Sequence, residues 1–129
     1  MDRRSADVLI VEDDTSIAEL YSLRLRMDGY TVHHASDATT AHVIFDQTRP
    51  AVVCMDSRLQ GASGLEAATD FARQGATVIL LTNDQVSFES PPRGVALALL
   101  KSRTSPSELT AAIGDLISRR GHAPRPAGK

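Results

Sequence analysis

The chain has a single cysteine, Cys54. One cysteine rules out an internal disulfide and fits a reducing cytoplasm. There is no strong excess of either charge, since the formal net charge is −2. That balance gives no electrostatic reason to expect nucleic acid or an anionic membrane as the main partner. The basic residues that stand out are terminal: Arg3 and Arg4 near the start, Arg119, Arg120, Arg125 and Lys129 near the end. No apolar run approaches the roughly 20 residues needed to span a bilayer. The opening "MDRRSADVLIV" has basic residues, but acids interrupt it before any signal-peptide core can form. A cytoplasmic protein with no membrane anchor is the expectation.

What is present reads as one domain. A length of 129 residues, with 42% hydrophobic and 23% charged side chains, is ordinary for a globular fold with a real core. Short apolar runs alternate with helical periodicity. "DVLIV" at residues 7–11 reads as a first strand. A helix from about Thr15 to Asp28 follows, with Ile17, Leu20, Tyr21, Leu23 and Met27 as its apolar stripe and Gly29 as its stop. "YTVHH" reads as a second strand, and its two histidines as surface residues. Asp37 caps a second helix ending before Pro50, and "AVVCM" reads as a third strand with Cys54 in the core. "RLQGASG" leads to a helix bearing Leu65, Ala68, Phe71 and Ala72. "TVILL" and "VALALL" read as the fourth and fifth strands. Ser105-Pro106-Ser107-Glu108 is a capping box with proline at the first helical position, opening a last helix. Residues 1–120 are expected to form the domain, and 121–129 a disordered basic tail.

Strands alternating with helices imply a parallel sheet covered on both faces. In such sheets chemistry gathers beyond the carboxyl ends of the strands. After the first strand stand Glu12 and Asp13; after the third, Asp56; after the fourth, Thr82; after the fifth, Lys101, one of only two lysines in the chain. Adjacent carboxylates repel by a few kcal/mol at about 4 Å in a partly screened site, so their gathering needs a reason. An all-oxygen acidic site suits Mg²⁺, and a carboxylate can act as a nucleophile towards phosphorus. Phosphoryl transfer needs mainly positioning and charge neutralisation, which a cation, the Lys101 ammonium and the Thr82 hydroxyl would supply. Asp14 reads instead as a helix N-cap.

Over residues 6–119 the sequence resembles the receiver domains of bacterial two-component response regulators. "VLIVEDD" resembles the family's first strand and acidic pair; "VVCMDSRLQGASGLE" resembles the third strand with its phosphoacceptor, Asp56, and Gly64 in the following loop. "VILLTND" and "LALLKS" supply Thr82 and Lys101. The resemblance implies a flavodoxin-like doubly wound (βα)5 fold, α/β, with strand order 2-1-3-4-5. It implies Mg²⁺ held by Glu12, Asp13, Asp56 and the main-chain carbonyl of Arg58. It also implies a histidine kinase or histidine phosphotransfer protein as phosphodonor and a downstream protein as receiver of the signal. A weak homodimer is left open.

The sequence departs from that family at several positions. Lysine is usually followed by a proline with a cis peptide bond, whereas Ser102 follows Lys101 here. The usual aromatic three residues before the lysine is Ala98. The stretch between Thr82 and Lys101 is short, and Pro91-Pro92 forbids a full fourth helix, which is expected to be shortened or disordered. Asn83 replaces a small residue beside the phosphoryl site and reads as a gate, while Arg58 and Asp84 flank the mouth with opposite charge. The expectation is a single-domain receiver with no DNA-binding domain, catalysing only its own phosphorylation and dephosphorylation. A vestigial receiver acting as a phosphorylation-independent docking module is the alternative. An aspartyl phosphatase is rejected, because its second acid would stand where Arg58 is.

Overall fold

In the computed structural model, residues 6–59 and 62–122 are described. Five parallel strands form one sheet: β1 (Asp7–Val11), β2 (Thr31–Ala35), β3 (Val52–Asp56), β6 (Thr77–Thr82) and β7 (Leu97–Leu100). Their order across the sheet is β2-β1-β3-β6-β7, which is the expected 2-1-3-4-5 for these five strands. Between β3 and the next helix lies an unexpected antiparallel ribbon, β4 (Arg58–Leu59) with β5 (Ala62–Ser63). The expected loop's Gln60 and Gly61 lie outside the described residues.

The central strands are apolar on both faces, and each face builds its own core. Val8, Ile10, Cys54, Ile79 and Leu81 meet α1 (Thr15–Met27) and α5 (Pro106–His122) on one side. Leu9, Val11, Val53, Met55 and Leu80 meet α2 (Ala38–Thr48) and α3 (Gly64–Arg73) on the other. Burial holds the Cys54 thiol far above the ordinary cysteine range, so it is packing and not a reactive group.

The helix ends follow their signals. Asp14 Oδ1 accepts from the Ile17 N–H at 3.2 Å and Asp37 Oδ1 from the Thr40 N–H at 2.7 Å. Ser105 and Glu108 close the capping box in both directions, at 2.9 and 3.1 Å. Gly29 takes φ 99°, the left-handed conformation that ends α1 at little steric cost. The fourth helix, α4, is reduced to Gln85–Glu89 and capped by Asp84, as the Pro91-Pro92 stop requires. The last helix, α5, reaches His122, past the expected boundary at residue 120, while residues 123–129 of the expected tail lie outside the described residues.

Two readings need correction. The α1 stripe is not the one the sequence suggests: Leu20, Leu23 and Met27 are exposed, and the helix buries Ala18, Tyr21, Ser22 and Leu25. Those four share one helical face. The β2 histidines are half-buried and held, not loose surface groups. His33 Nε2 lies 2.9 Å from Asp7 Oδ2, and His34 Nε2–H donates to the Glu12 carbonyl oxygen at 2.7 Å. Among the described residues, no helix is long and apolar enough to cross a membrane.

Candidate functional site

Four of the five sheet strands end in, or run directly into, a polar group at their carboxyl ends. Glu12 follows β1, Asp56 is the last residue of β3, Thr82 is the last of β6, and Lys101 follows β7. The structure brings Glu12, Asp13, Asp56 and Lys101 together on the walls of one cleft of about 530 Å³, which Ser57 and Asn83 also line. Glu12 and Asp56 are buried, at 2% and 5% exposed, while Asp13 stands at the open side.

Lys101 is the hub. Its Nζ lies 2.8 Å from Glu12 Oε1 and 2.8 Å from Asp56 Oδ2, with 18% of its side chain exposed. Burial alone would depress the Lys101 pKa, but bonds to Asp56 and then Glu12 outweigh it and hold the ammonium above the ordinary lysine value. Burial pushes the Glu12 carboxyl up, against the Lys101 and Asp14 N–H bonds that pull it down, and the charge of Asp56 adds to the rise. The buried Glu12 Oε1 atom is met by the Lys101 ammonium and, among the described residues, by no other hydrogen-bond partner.

The turn that carries Lys101 is pinned at three points. The Thr104 hydroxyl donates to the Leu100 carbonyl at 2.8 Å, and the Tyr21 hydroxyl on α1 donates to the Thr104 carbonyl at 3.0 Å. The Ser102 N–H donates to Asn83 Oδ1 at 2.8 Å. The peptide bonds of the described residues, Lys101–Ser102 among them, are all trans, and the chain makes a short 3₁₀ turn over Lys101–Arg103. Asn83 is therefore more than the gate its bulk suggests. Its side chain ties the end of β6 to the lysine turn, using an N–H that a proline at 102 would not have.

Asp56 is held from the other side. Its Oδ1 accepts from the Arg58 N–H at 3.2 Å, and a Cβ on Gly64 would collide with the Asp56 carbonyl. The Arg58 side chain is exposed. Among the described ion pairs it makes none with Asp84, the residue of opposite charge that flanks the mouth. The Asp84 carboxylate is engaged as the α4 cap, accepting from the Ser87 N–H at 3.0 Å and the Ser87 hydroxyl at 2.7 Å. Those bonds hold its pKa below the usual carboxylate value, and the Arg58 charge adds to the effect.

Thr82 is the one expected site residue set back from the cleft wall. It is fully buried, and its Oγ1 accepts from the Asp84 N–H at 3.0 Å and from the Ser57 hydroxyl at 2.9 Å. Ser57 was not singled out by the sequence. Only strand register finds it: Asp56 pairs with Leu81, so Ser57 lies beside Thr82.

The three carboxylates each offer an oxygen, all within 4.8 Å of one another. Acids so close, two of them buried, fit a hard divalent cation.

The model of the response regulator receiver domain matches residues 8–113. The chain belongs to this family. Among curated relatives, the phosphate regulon transcriptional regulatory protein PhoB of Pseudomonas aeruginosa is 28% identical over 88% of the chain and 52% of its own length. The DNA-binding response regulator MtrA of Mycobacterium bovis is 28% identical over 96% of the chain and 56% of its own. The receiver thus spans about half the length of these relatives. Its fold matches a response regulator receiver domain protein from Clostridium thermocellum with a TM-score of 0.79 at 24% identity, over 90% of this chain and 97% of that one. It also matches the response regulator protein TrrA of Thermotoga maritima, solved in complex with Mg²⁺-BeF, with a TM-score of 0.76 at 26% identity, over 86% and 98% of the two chains.

Proposed function

We propose that this receiver accepts a phosphoryl group on Asp56 from a histidine kinase or histidine phosphotransfer protein and passes the signal on by protein contact. The observation that supports this reading most is the Lys101 ammonium bridging Asp56 and Glu12 at 2.8 Å each, with Asp13 beside them. An ammonium in that place compensates the acids of the resting site and stays at hand to neutralise phosphoryl oxygens.

Mg²⁺ would be held by the Glu12, Asp13 and Asp56 carboxylates and by the Arg58 carbonyl, and when bound it supplies positive charge to the equatorial phosphoryl oxygens. The remaining work belongs to the chain. An Asp56 carboxylate oxygen attacks phosphorus; the new O–P bond forms as the donor's P–N bond breaks, its electron pair leaving on that nitrogen. The Arg58 N–H orients the carboxylate through Oδ1, Lys101 holds Oδ2, and Thr82 supplies hydroxyl bonding from the end of β6. The test is mass measurement after incubation with phosphoramidate, with Mg²⁺ and with a chelator. Mg²⁺-dependent addition of one phosphoryl group is expected. No addition in either condition would leave the alternative, a docking module independent of phosphorylation, which the short α4 and Ala98 favour.

The neighbouring acids separate the metal's role from a helix cap. Asp13→Ala is expected to weaken Mg²⁺ binding sharply with little change in the melting temperature. Asp14→Ala is expected to leave Mg²⁺ binding near normal and to lose the Ile17 cap, at about 0.5–2 kcal/mol of stability. Titration with Mg²⁺ and thermal melts on both variants check this, and equal losses of metal affinity would refute the division.

A further inference from the structure

The pairing of β6 with β7 ends at Thr82 and Leu100, and the next residue of each strand lines the cleft: Asn83 on one side, Lys101 on the other. One step further on, the Ser102 N–H donates to Asn83 Oδ1 at 2.8 Å. A main-chain N–H can only donate, so the end of the Asn83 amide that meets it is the oxygen. This bond carries the ladder past its last backbone pair by way of a side chain. It falls at an edge of the sheet, since among the described strands β7 pairs with β6 alone.

Lysine carries its charge on a flexible four-carbon stem, so the place of the ammonium depends on how firmly the main chain beneath it is held. Here Nζ stands 2.8 Å from both Asp56 Oδ2 and Glu12 Oε1, and a shift of the turn would lengthen one contact or both. Of the three bonds that pin the turn, Thr104 to Leu100 lies within it, and Tyr21 reaches it from α1. The Asn83 bond is the one that joins the residue after the lysine to the end of β6, the strand that pairs with β3 and its Asp56.

Building on the reading of Asp56 as phosphoacceptor, we infer that Asn83 is a positioning residue for phosphoryl transfer. By holding the Ser102 N–H it fixes the turn from which the Lys101 ammonium spans Asp56 and Glu12. The side chain that reads as a gate by its bulk thus supports the reaction. Asn83 and Ser102 are both exposed, so water takes up the N–H when the amide is removed, and the bond itself is worth little to stability. What its loss costs is the aim of the ammonium.

The test compares Asn83→Leu, which keeps the bulk and removes the acceptor, with Asn83→Ala, which removes both. Each is assayed for the rate of Mg²⁺-dependent phosphorylation by phosphoramidate and for its melting temperature in chelator. Both rates are expected to fall on the order of tenfold, within the roughly hundredfold that a 1 Å misplacement can cost. A gate would give the opposite pattern: a faster reaction in Asn83→Ala and an unchanged one in Asn83→Leu. Asn83→Leu is then placed in the Lys101→Ala background. There it is expected to change neither the rate nor the melt, whereas in the parent it lowers both, because the two changes act on one group. A role confined to holding the end of β6 would cost the same in either background. Should Lys101→Ala be too slow to time, the melts carry the cycle. A rate at or above the parent's in either Asn83 variant overturns the inference, as do equal losses in the two backgrounds. A parent protein that takes up no phosphoryl group at all would instead overturn the reading of Asp56, while the melts still report whether Asn83 acts through Lys101.

Discussion

Asp56→Asn is expected to abolish Mg²⁺-dependent phosphoryl uptake while leaving the receiver folded. The amide keeps the shape of the carboxylate but cannot attack phosphorus. Its single oxygen can accept from Lys101 or from the Arg58 N–H, where the carboxylate accepts from both. One charge-assisted hydrogen bond is therefore lost, at about 1.5–3 kcal/mol. Against that, removing a negative charge relieves Glu12, whose carboxyl is pushed up first by burial and further by Asp56. The two effects oppose, so the melting temperature should move little. Mg²⁺ affinity should fall, because one of three closely set carboxylates is gone. Mass measurement before and after phosphoramidate, with a melt of the same sample, checks both halves. Label found on any aspartate of the variant would show that the acceptor lies elsewhere.

Much of this site was legible because its parts stand directly after apolar runs. In a doubly wound sheet those runs have known ends, so Glu12, Asp56, Thr82 and Lys101 fall on one edge before any side chain is placed. The capping box at Ser105–Glu108 and the Asp37 cap were legible for the same local reason: both ends of each bond lie within one turn. What was missed is non-local or small. Ser57 gains its meaning from the register between β3 and β6, and the Asn83–Ser102 bond joins residues from different strand ends. The buried face of α1 was misread because Ala18 and Ser22 count for little in a hydrophobicity pattern, while Leu20 and Leu23, which count for much, face outward.

Lys101→Ala is expected to destabilise the receiver by about 3 kcal/mol at neutral pH without Mg²⁺, as when one partner of a buried ion pair is removed. The lower end of that range applies because Lys101 keeps 18% of its side chain exposed. Glu12 Oε1 then loses the one group that meets it, and two buried carboxylates face each other uncompensated. The pH dependence follows from the direction of each shift. Burial already raises the Glu12 carboxyl, and loss of Lys101 raises it further. A carboxyl with a raised folded pKa gives its full stability below the ordinary glutamate range and loses it as pH rises through the folded value. The variant's deficit should therefore shrink as pH falls from neutral into the acid range. Lys101 itself has a raised pKa, so its contribution in the parent holds below the ordinary lysine range and is lost only as strongly alkaline pH passes the folded value. Mg²⁺ should restore more stability to the variant than it adds to the parent, because a cation bound only to the folded state replaces the missing charge; at about 100 times its dissociation constant the gain is about 2.7 kcal/mol. Urea unfolding of parent and variant at pH values from acid to neutral, with and without Mg²⁺, reads all of these together. A Lys101→Ala variant as stable as the parent in chelator at neutral pH would mean that the acids of the resting site do not depend on the ammonium.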